Sequence, residues 1–370
     1  MKPLQIIISG GGTGGHIYPA VSIANSLKAR YPDTEILFVG AEGRMEMEKV
    51  PAAGYKIIGL PVAGLQRKSI LKNILLPFKI WKSIRKASKI ICDFNPDAVI
   101  GVGGYASGPV LWAAQRKKTP TLLQEQNSYA GITNKILAKR ATKICVAYDN
   151  MERFFPKEKI HLTGNPVRQD LHRESKALRA DAAAYFGMNP DKKTVFIFGG
   201  SLGARALNLC MAQALPELTK GDVQFIWQSG KNYAEIAKTS IQQYESLSHI
   251  KVFDFIYRMD YAYAMADVVI SRAGASSISE LCVVAKPCIF VPSPNVSEDH
   301  QTKNAQSLVD KKAALLVSDD DASRDLIPTA LQLIGDEEMQ QTLANNIAKL
   351  AKPNAANEIV DEIMKLVSQK

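Results

Sequence analysis

The chain has 370 residues, 46% hydrophobic and 22% charged, a composition that excludes disordered, collagen-like and low-complexity classes. At roughly 150 residues per domain it predicts two domains, each able to bury its own core. The net charge of +10 is uneven: residues 1–165 hold 24 Lys/Arg and 11 Asp/Glu (+13), residues 166–370 hold 22 and 25 (−3), so an anionic partner is expected for the first half.

Leu4–Ser9 reads as a first strand, because one lysine and a short apolar run before glycines do not make a signal peptide. It runs into Gly10-Gly11-Gly12-Thr13-Gly14-Gly15-His16, where Gly10, Gly12 and Gly15 fit the dinucleotide pattern GxGxxG. The second strand, Ile36–Val39, lacks the usual terminal acid; Glu42 comes only beyond it. The glycines around Thr13 predict close approach of an anionic ligand to amides at a helix N-terminus. His16 follows at the carboxyl end of the strand, where open α/β sheets place ligands, and can accept a proton near neutral pH or organise the loop.

Between Glu48 and Asp93 there is no acidic residue but ten Lys/Arg, interleaved with Leu71, Ile74, Leu75, Phe78 and Trp81. With Lys72, Lys79 and Lys82 among them, this pattern predicts contact with an anionic bilayer. Pro77 favours a loop followed by a helix over one long helix. No nucleic-acid motif accompanies the charge, so nucleic acid is not expected as a partner. The alternative is a solvated basic face over ordinary core residues.

Ala98–Val102 is the next strand and leads into Gly101-Val-Gly103-Gly104-Tyr105-Ala106-Ser107-Gly108. Thr121–Gln124 then runs into Glu125-Gln126-Asn127, polar groups at a strand end that suit a sugar or an acceptor hydroxyl. After Ile144–Ala147, the segment from His161 to Val167 is the predicted linker, since Gly164 and Pro166 interrupt regular structure.

In the second half Val195–Phe198, Phe225–Gln228, Val268–Ser271 and Cys288–Val291 are the predicted strands. Residues 192–203 echo residues 4–15, each an apolar strand breaking at glycines with a hydroxyl residue, so tandem Rossmann-like domains with parallel sheets are expected. Gly199-Gly200-Ser201-Leu202-Gly203 offers amides and a hydroxyl to a phosphate but is not a Walker loop. In Ser271–Glu280 the carboxylate of Glu280 could accept from a ribose diol. Asp319-Asp320-Asp321 reads as a polar turn, not a metal site, and the histidines lack ligand spacing. The scattered cysteines (Cys92, Cys145, Cys210, Cys282, Cys288) fit a reducing compartment. Lys352-Pro353-Asn354 precedes a last amphipathic helix that could pack back on the first domain.

GGTGGHIYPA (11–20), GVGGYASGP (101–109), EQNSYAGITNK (125–135), GNPVR (164–168), GGSLGARALN (199–208), SRAGASSISEL (271–281) and VPSPNVSEDHQTKNA (291–305) together resemble the MurG family of bacterial cell-wall N-acetylglucosaminyltransferases. The resemblance covers essentially the whole chain and implies the GT-B fold, two Rossmann-like domains facing a cleft. The domains implied are 1–165 on the acceptor and membrane side, 166–350 for UDP-GlcNAc, and a C-terminal helix at 351–370. It implies inverting, metal-independent transfer of GlcNAc from UDP-GlcNAc to the MurNAc 4-hydroxyl of lipid I, with no cofactor.

By the same resemblance Thr13, Gly14 and Gly15 face the donor's sugar and diphosphate. Asn127 and Gln301 contact GlcNAc, and Arg168 and Ser201 lie near the diphosphate. The backbone at Ile256 reads uracil, Ala275, Ser276, Ser277, Ile278 and Ser279 are substrate-binding residues, and Glu280 binds the ribose. His16, Tyr105 and Glu125 match acceptor-side and catalytic positions, with His16 or Glu125 as the base. Implied partners are the anionic inner surface of the bacterial membrane, where the protein is peripheral on the cytoplasmic side, and other cell-wall or division proteins. Alternatives from other classes are an NAD-dependent oxidoreductase, a non-catalytic membrane scaffold and a UDP-GlcNAc 2-epimerase of the same fold.

Overall fold

The computed structural model describes residues 3–62, 76–168, 171, 176–200, 203–296 and 299–368. The chain divides into two compact units, residues 1–167 with 352–370, and residues 168–351.

In the first unit β1 (Gln5–Ser9), β2 (Glu35–Ala41), β3 (Lys56–Leu60), β4 (Ala98–Gly101), β5 (Thr121–Glu125), β6 (Lys143–Val146) and β7 (Ile160–Leu162) form one sheet. Its order is β3-β2-β1-β4-β5-β6-β7, with parallel pairing throughout. The helices are α1 (Gly14–Arg30), α2 (Glu46–Ala52), α3 (Leu76–Phe94), α4 (Ser107–Arg116) and α5 (Ile132–Ala138). Successive strand residues point to opposite faces, so Ile7, Leu37 and Val99 join a core with Leu111 and Ala114 of α4. Ile6, Ile8 and Phe38 join another with Ile17, Ile23 and Leu27, the buried stripe of α1. Covering both faces accounts for strands that read as unbroken apolar runs.

In the second unit β8 (Thr194–Phe198), β9 (Gln224–Gln228), β10 (Ile250–Phe253), β11 (Val268–Ser271), β12 (Cys288–Phe290) and β13 (Leu315–Leu316) follow the order β10-β9-β8-β11-β12-β13. Its helices are α6 (Lys176–Phe186), α7 (Arg205–Leu218), α8 (Ala234–Gln242), α9 (Met259–Met265), α10 (Ala275–Val284), α11 (His300–Val309), α12 (Ala322–Gly335) and α13 (Glu337–Ala348). The last helix, α14 (Ala355–Ser368), returns to the first unit and buries Ile359, Val360, Ile363 and Leu366 against the α1 face of its sheet. Both sheets are doubly wound, and the strand order reverses between β1 and β4 and between β8 and β11. Ligands of such sheets bind at the carboxyl ends of those strands.

β3, β7 and β10 were not among the predicted strands, and each forms a sheet edge. An edge strand has one neighbour and incomplete cover, so its apolar run is short and its burial partial (Ile160–Leu162 and Lys251–Phe253). β7 also takes the first residues of the predicted linker, and the division between units falls after Val167.

Candidate active site

In the first unit β1 and β4 lie side by side, Ser9 opposite Gly101, so their loops leave the sheet together. The first loop enters α1 at Thr13, which holds an extended conformation while its carbonyl accepts the His16 and Ile17 amides at 3.1 and 3.2 Å. The Thr13 hydroxyl lies 3.1 Å from His16 Nδ1. A Cβ at Gly103 (φ +90°) would lie 2.9 Å from His16 Cδ2, and one at Gly104 (φ +84°) 2.3 Å from the Gly11 carbonyl oxygen. Glycine at 103 and 104 is therefore the condition for the second loop to close on the first and on the imidazole.

The turn after β5 is the third piece. Gln126, beside Gly103, donates from Nε2 to the Val102 carbonyl at 2.7 Å and accepts at its backbone oxygen from Asn165. Glu125 is buried and both its oxygens are engaged. Oε1 accepts from the Asn127 backbone and side-chain amides at 3.1 Å each, and Oε2 from Gly131 N–H at 3.1 Å and Asn134 Nδ2 at 2.8 Å. A carboxylate so occupied clasps the turn that carries Asn127, whereas a base needs a lone pair directed at the acceptor hydroxyl. Tyr105 is half-exposed just before α4, and Gly14 and Gly15 form the first turn of α1.

On α3, Ala87, Ile90 and Ile91 face the core while Phe78 (63% exposed), Lys79, Trp81 (52%) and Lys82 face outward. Phe78 and Trp81 stack with centroids 5.9 Å apart, and the Arg85 guanidinium lies 4.9 Å from the Trp81 centroid. Leu71, Lys72, Ile74 and Leu75 lie outside the described residues, as does Ser201. No helix among the described residues is long and apolar enough to cross a membrane.

In the second unit the loop after β8 turns at Gly203 (φ +76°), where a Cβ would lie 2.1 Å from the Ser229 carbonyl oxygen. A cavity of about 490 Å³ opens beside it, lined by Gly199, Gly203, Arg205 at the start of α7, Arg272, Ser293 and Gln301, among others. Gln301 Oε1 accepts from Ser293 N–H at 2.8 Å. Arg272 is anchored by the Val291 and Pro292 carbonyls, at 3.0 and 3.1 Å, and by Asp319. The aspartate triplet is a structural turn: Asp319 holds Arg272, and Asp321 pairs with the Ser318 hydroxyl and Arg324.

α10 starts after Gly274, whose carbonyl takes the first helical bond from the Ile278 amide. The amides of Ala275, Ser276 and Ser277 therefore precede the intrahelical ladder, at the positive end of the helix. The Ser276 hydroxyl is buried without a partner among the described residues, and the Ser279 hydroxyl donates back to the Ala275 carbonyl. The Ile278 side chain is in the core and its amide is committed to the Gly274 carbonyl. Glu280 Oε2 accepts from the Tyr263 hydroxyl at 2.9 Å. Burial pushes that phenol well above its ordinary range and neighbouring Glu280 adds to this, while the charge of Arg168 opposes it. Tyr263 is thus a lasting donor.

The Ile256 amide donates to Gln228 Oε1 at 2.9 Å, so a backbone contact to a base there falls to its carbonyl. The same Gln228 donates from Nε2 to the Gly200 carbonyl at 3.1 Å, joining that turn to the glycine loop. Arg272, Gln228 and, in the first unit, Glu46 were not foreseen as site residues. The one sequence signal was Arg272, a cation directly after a strand within a hydroxyl-rich loop.

Residues 6–146 match the family model of the glycosyltransferase family 28 N-terminal domain, and residues 194–361 that of the family 28 C-terminal domain. The chain is 57% identical over 370 residues, covering 100% of both chains, to the UDP-N-acetylglucosamine--N-acetylmuramyl-(pentapeptide) pyrophosphoryl-undecaprenol N-acetylglucosamine transferase of Parabacteroides distasonis. It is 53% identical, again over 100% of each chain, to the same-named protein of Flavobacterium psychrophilum. Among solved structures, Acinetobacter baumannii MurG superposes with a TM-score of 0.80 at 28% identity, over 98% of this chain and 100% of that one. A Neisseria meningitidis UDP-GlcNAc 2-epimerase, at 0.66 and 15% over 98% and 99%, shares the fold alone.

Proposed function

The chain belongs to the UDP-N-acetylglucosamine–N-acetylmuramyl-(pentapeptide) pyrophosphoryl-undecaprenol N-acetylglucosamine transferases of glycosyltransferase family 28, and from that membership we propose that it converts lipid I to lipid II. It moves GlcNAc from UDP-GlcNAc to the 4-hydroxyl of MurNAc on undecaprenyl-pyrophosphoryl-MurNAc-pentapeptide, with inversion and release of UDP. The observation that carries the proposal is the 57% identity with the Parabacteroides transferase over the whole of both chains.

The chemistry needs a donor site that stabilises a departing diphosphate and an acceptor site that removes a proton. For the first, the proposed elements are the glycine-loop amides, the N-terminus of α10 (Ala275–Ser277), Arg168 and the anchored Arg272. Gln301, its Oε1 occupied by Ser293, would turn its amide NH₂ to the sugar, and Glu280, oriented by Tyr263, would take the ribose diol. Ser201, next in sequence after Gly200, would meet the diphosphate. For the second, His16 is the proposed base. The acceptor oxygen attacks the sugar C1, the bond from C1 to the diphosphate oxygen breaks, and the hydroxyl proton passes to the imidazole. Asn127, on the turn clasped by Glu125, is the proposed sugar contact on this unit, with Tyr105 on the acceptor side and Thr13, Gly14 and Gly15 facing the donor's sugar and diphosphate.

The exposed face of α3, with Leu71, Lys72, Ile74 and Leu75 of the preceding sequence, is proposed to hold the protein peripherally on the anionic cytoplasmic leaflet, where lipid I is presented. Cell-wall and division proteins are proposed as neighbours there.

One assay tests the reading: incubate the protein with UDP-GlcNAc and a soluble lipid I analogue in EDTA, and measure UDP and disaccharide. Acceptor-dependent release of both is expected. Consumption of UDP-GlcNAc without acceptor would instead indicate the epimerase chemistry that the fold also accommodates.

A further inference from the structure

We propose that Glu46 is a positioning residue for the transfer, its buried carboxylate holding the first glycine loop so that Thr13 and His16 are fixed at the end of β1. The proposal rests on the glycosyl-transfer reading of this unit. Glu46 is the first residue of α2 and is 1% exposed. Its Oε2 accepts from Gly12 N–H at 2.8 Å and its Oε1 from Ala41 N–H at 2.9 Å, so one side chain ties the loop after β1 to the end of β2.

The backbone is shaped around this group. A Cβ at Gly11 (φ +152°) would lie 2.2 Å from the Glu46 carboxyl carbon, and one at Gly40 2.6 Å from its Cγ. Gly11 in turn is the residue on which Gly104 rests, and Gly103 borders the His16 ring. Contact therefore runs from Glu46 through Gly11 to the second loop and the imidazole.

Successive loop amides form an anion-binding concavity, and charge-assisted bonds to it are strong. Here a resident carboxylate takes the Gly12 amide that a dinucleotide pyrophosphate would seek in a GxGxxG loop. A ligand is left with amides beyond Gly12, at the start of α1. Glu46→Gln preserves size but replaces one acceptor oxygen by an NH₂ that faces an N–H, so one of the two bonds becomes a donor–donor contact.

The test uses the full-length protein, Glu46→Gln, and Gly11→Ala, whose methyl presses on the same carboxylate from the loop side. Turnover with the soluble acceptor analogue, its pH profile, binding of UDP alone and amide exchange over residues 10–16 are measured. In either variant kcat is expected to fall at least tenfold, the acid limb of the profile to move, Gly12 exchange to accelerate, and UDP affinity to change far less than kcat. A purely structural role would reduce turnover and the number of UDP sites together and leave the pH profile in place, and that result would overturn the proposal. So would unchanged Gly12 exchange, or turnover within threefold of the parent. If the parent itself releases no UDP on adding acceptor, the transfer reading fails instead, and amide exchange still decides whether Glu46 holds the loop.

Discussion

His16, the proposed base, is held in a constrained position: Nδ1 lies beside the Thr13 hydroxyl and the ring edge rests on the bare Cα of Gly103. Removing a general base costs about 10²–10⁴ in rate. His16→Ala should therefore lower kcat by that order while UDP-GlcNAc affinity, measured by calorimetry without acceptor, changes less than about threefold. An unchanged turnover number would take His16 out of the mechanism. In the other unit the buried Tyr263 phenol stays protonated and keeps one donor on Glu280. A hydrogen bond to a charged group contributes about 1.5–3 kcal/mol, so Tyr263→Phe should weaken UDP binding by about tenfold or more and leave kcat at saturating donor nearly unchanged. Equal affinity in the variant would separate Tyr263 from the proposed ribose site. His16 and the glycine loops are legible in the sequence because their signal is local, a run of permissive residues between strand and helix. Glu46, Gln228 and Arg272 are not, because their partners lie 34, 28 and 47 residues away and only folding introduces them.

At the scale of elements, α3 has two faces with different solvents. Ser83, Ala87, Ile90 and Ile91 are spent on the core, which leaves Phe78 and Trp81 exposed between Lys79, Lys82 and Arg85. Replacing Phe78 and Trp81 together by alanine should reduce binding to anionic vesicles at least tenfold without altering turnover on a soluble acceptor, since each buried aromatic contributes roughly 1.5–3 kcal/mol. Raising salt should weaken binding of the parent, by screening its basic residues. Cosedimentation with vesicles of anionic and neutral composition checks both points, and equal binding by the variant would assign the face to solvent.

α14 presents another junction. Its Glu362 is buried, with Lys365 at 2.6 Å, His161 of β7 at 3.5 Å and Lys143 of β6 at 3.9 Å. Burial lowers the His161 pKa from its ordinary 6.5, Glu362 opposes this, and Lys143 and Lys365 reinforce it. The folded state thus favours the neutral ring, so His161 contributes stability above pH 6.5, lost as pH falls through 6.5 towards the lower folded value. His161→Asn should flatten the melting temperature between about pH 7 and 5.5 relative to the parent, modestly because the ring is partly exposed. An identical pH slope would exclude His161 as the titrating group. That cluster was hidden in the sequence, since β7 is an edge strand inside what reads as a linker and α14 follows it by nearly two hundred residues.

For the whole molecule, the basic surplus stays with the first unit: residues 352–370 bring three basic and three acidic residues, so the returning helix leaves the +13 of the N-terminal half unchanged. The second unit is proposed to hold its anionic donor through amides and anchored guanidiniums such as Arg272, which would need no basic surface. Both sheets wind in one order, as the echo between residues 4–15 and 192–203 implies, and each reverses beside its glycine loop. The sequence by itself determined the parallel doubly wound architecture, the central strands, the glycine loops and the asymmetry of charge. Those features depend on apolar runs, on residues that permit positive φ, and on composition, all properties of neighbouring residues. Tertiary structure alone decided that Glu125 is turned inward as a clasp, that Glu46 fills the concavity of the first loop, that the Ile256 amide is already taken, and that the C-terminal helix completes the first core. Each of these depends on which donor meets which acceptor across tens or hundreds of residues, and that is set when the sheets assemble.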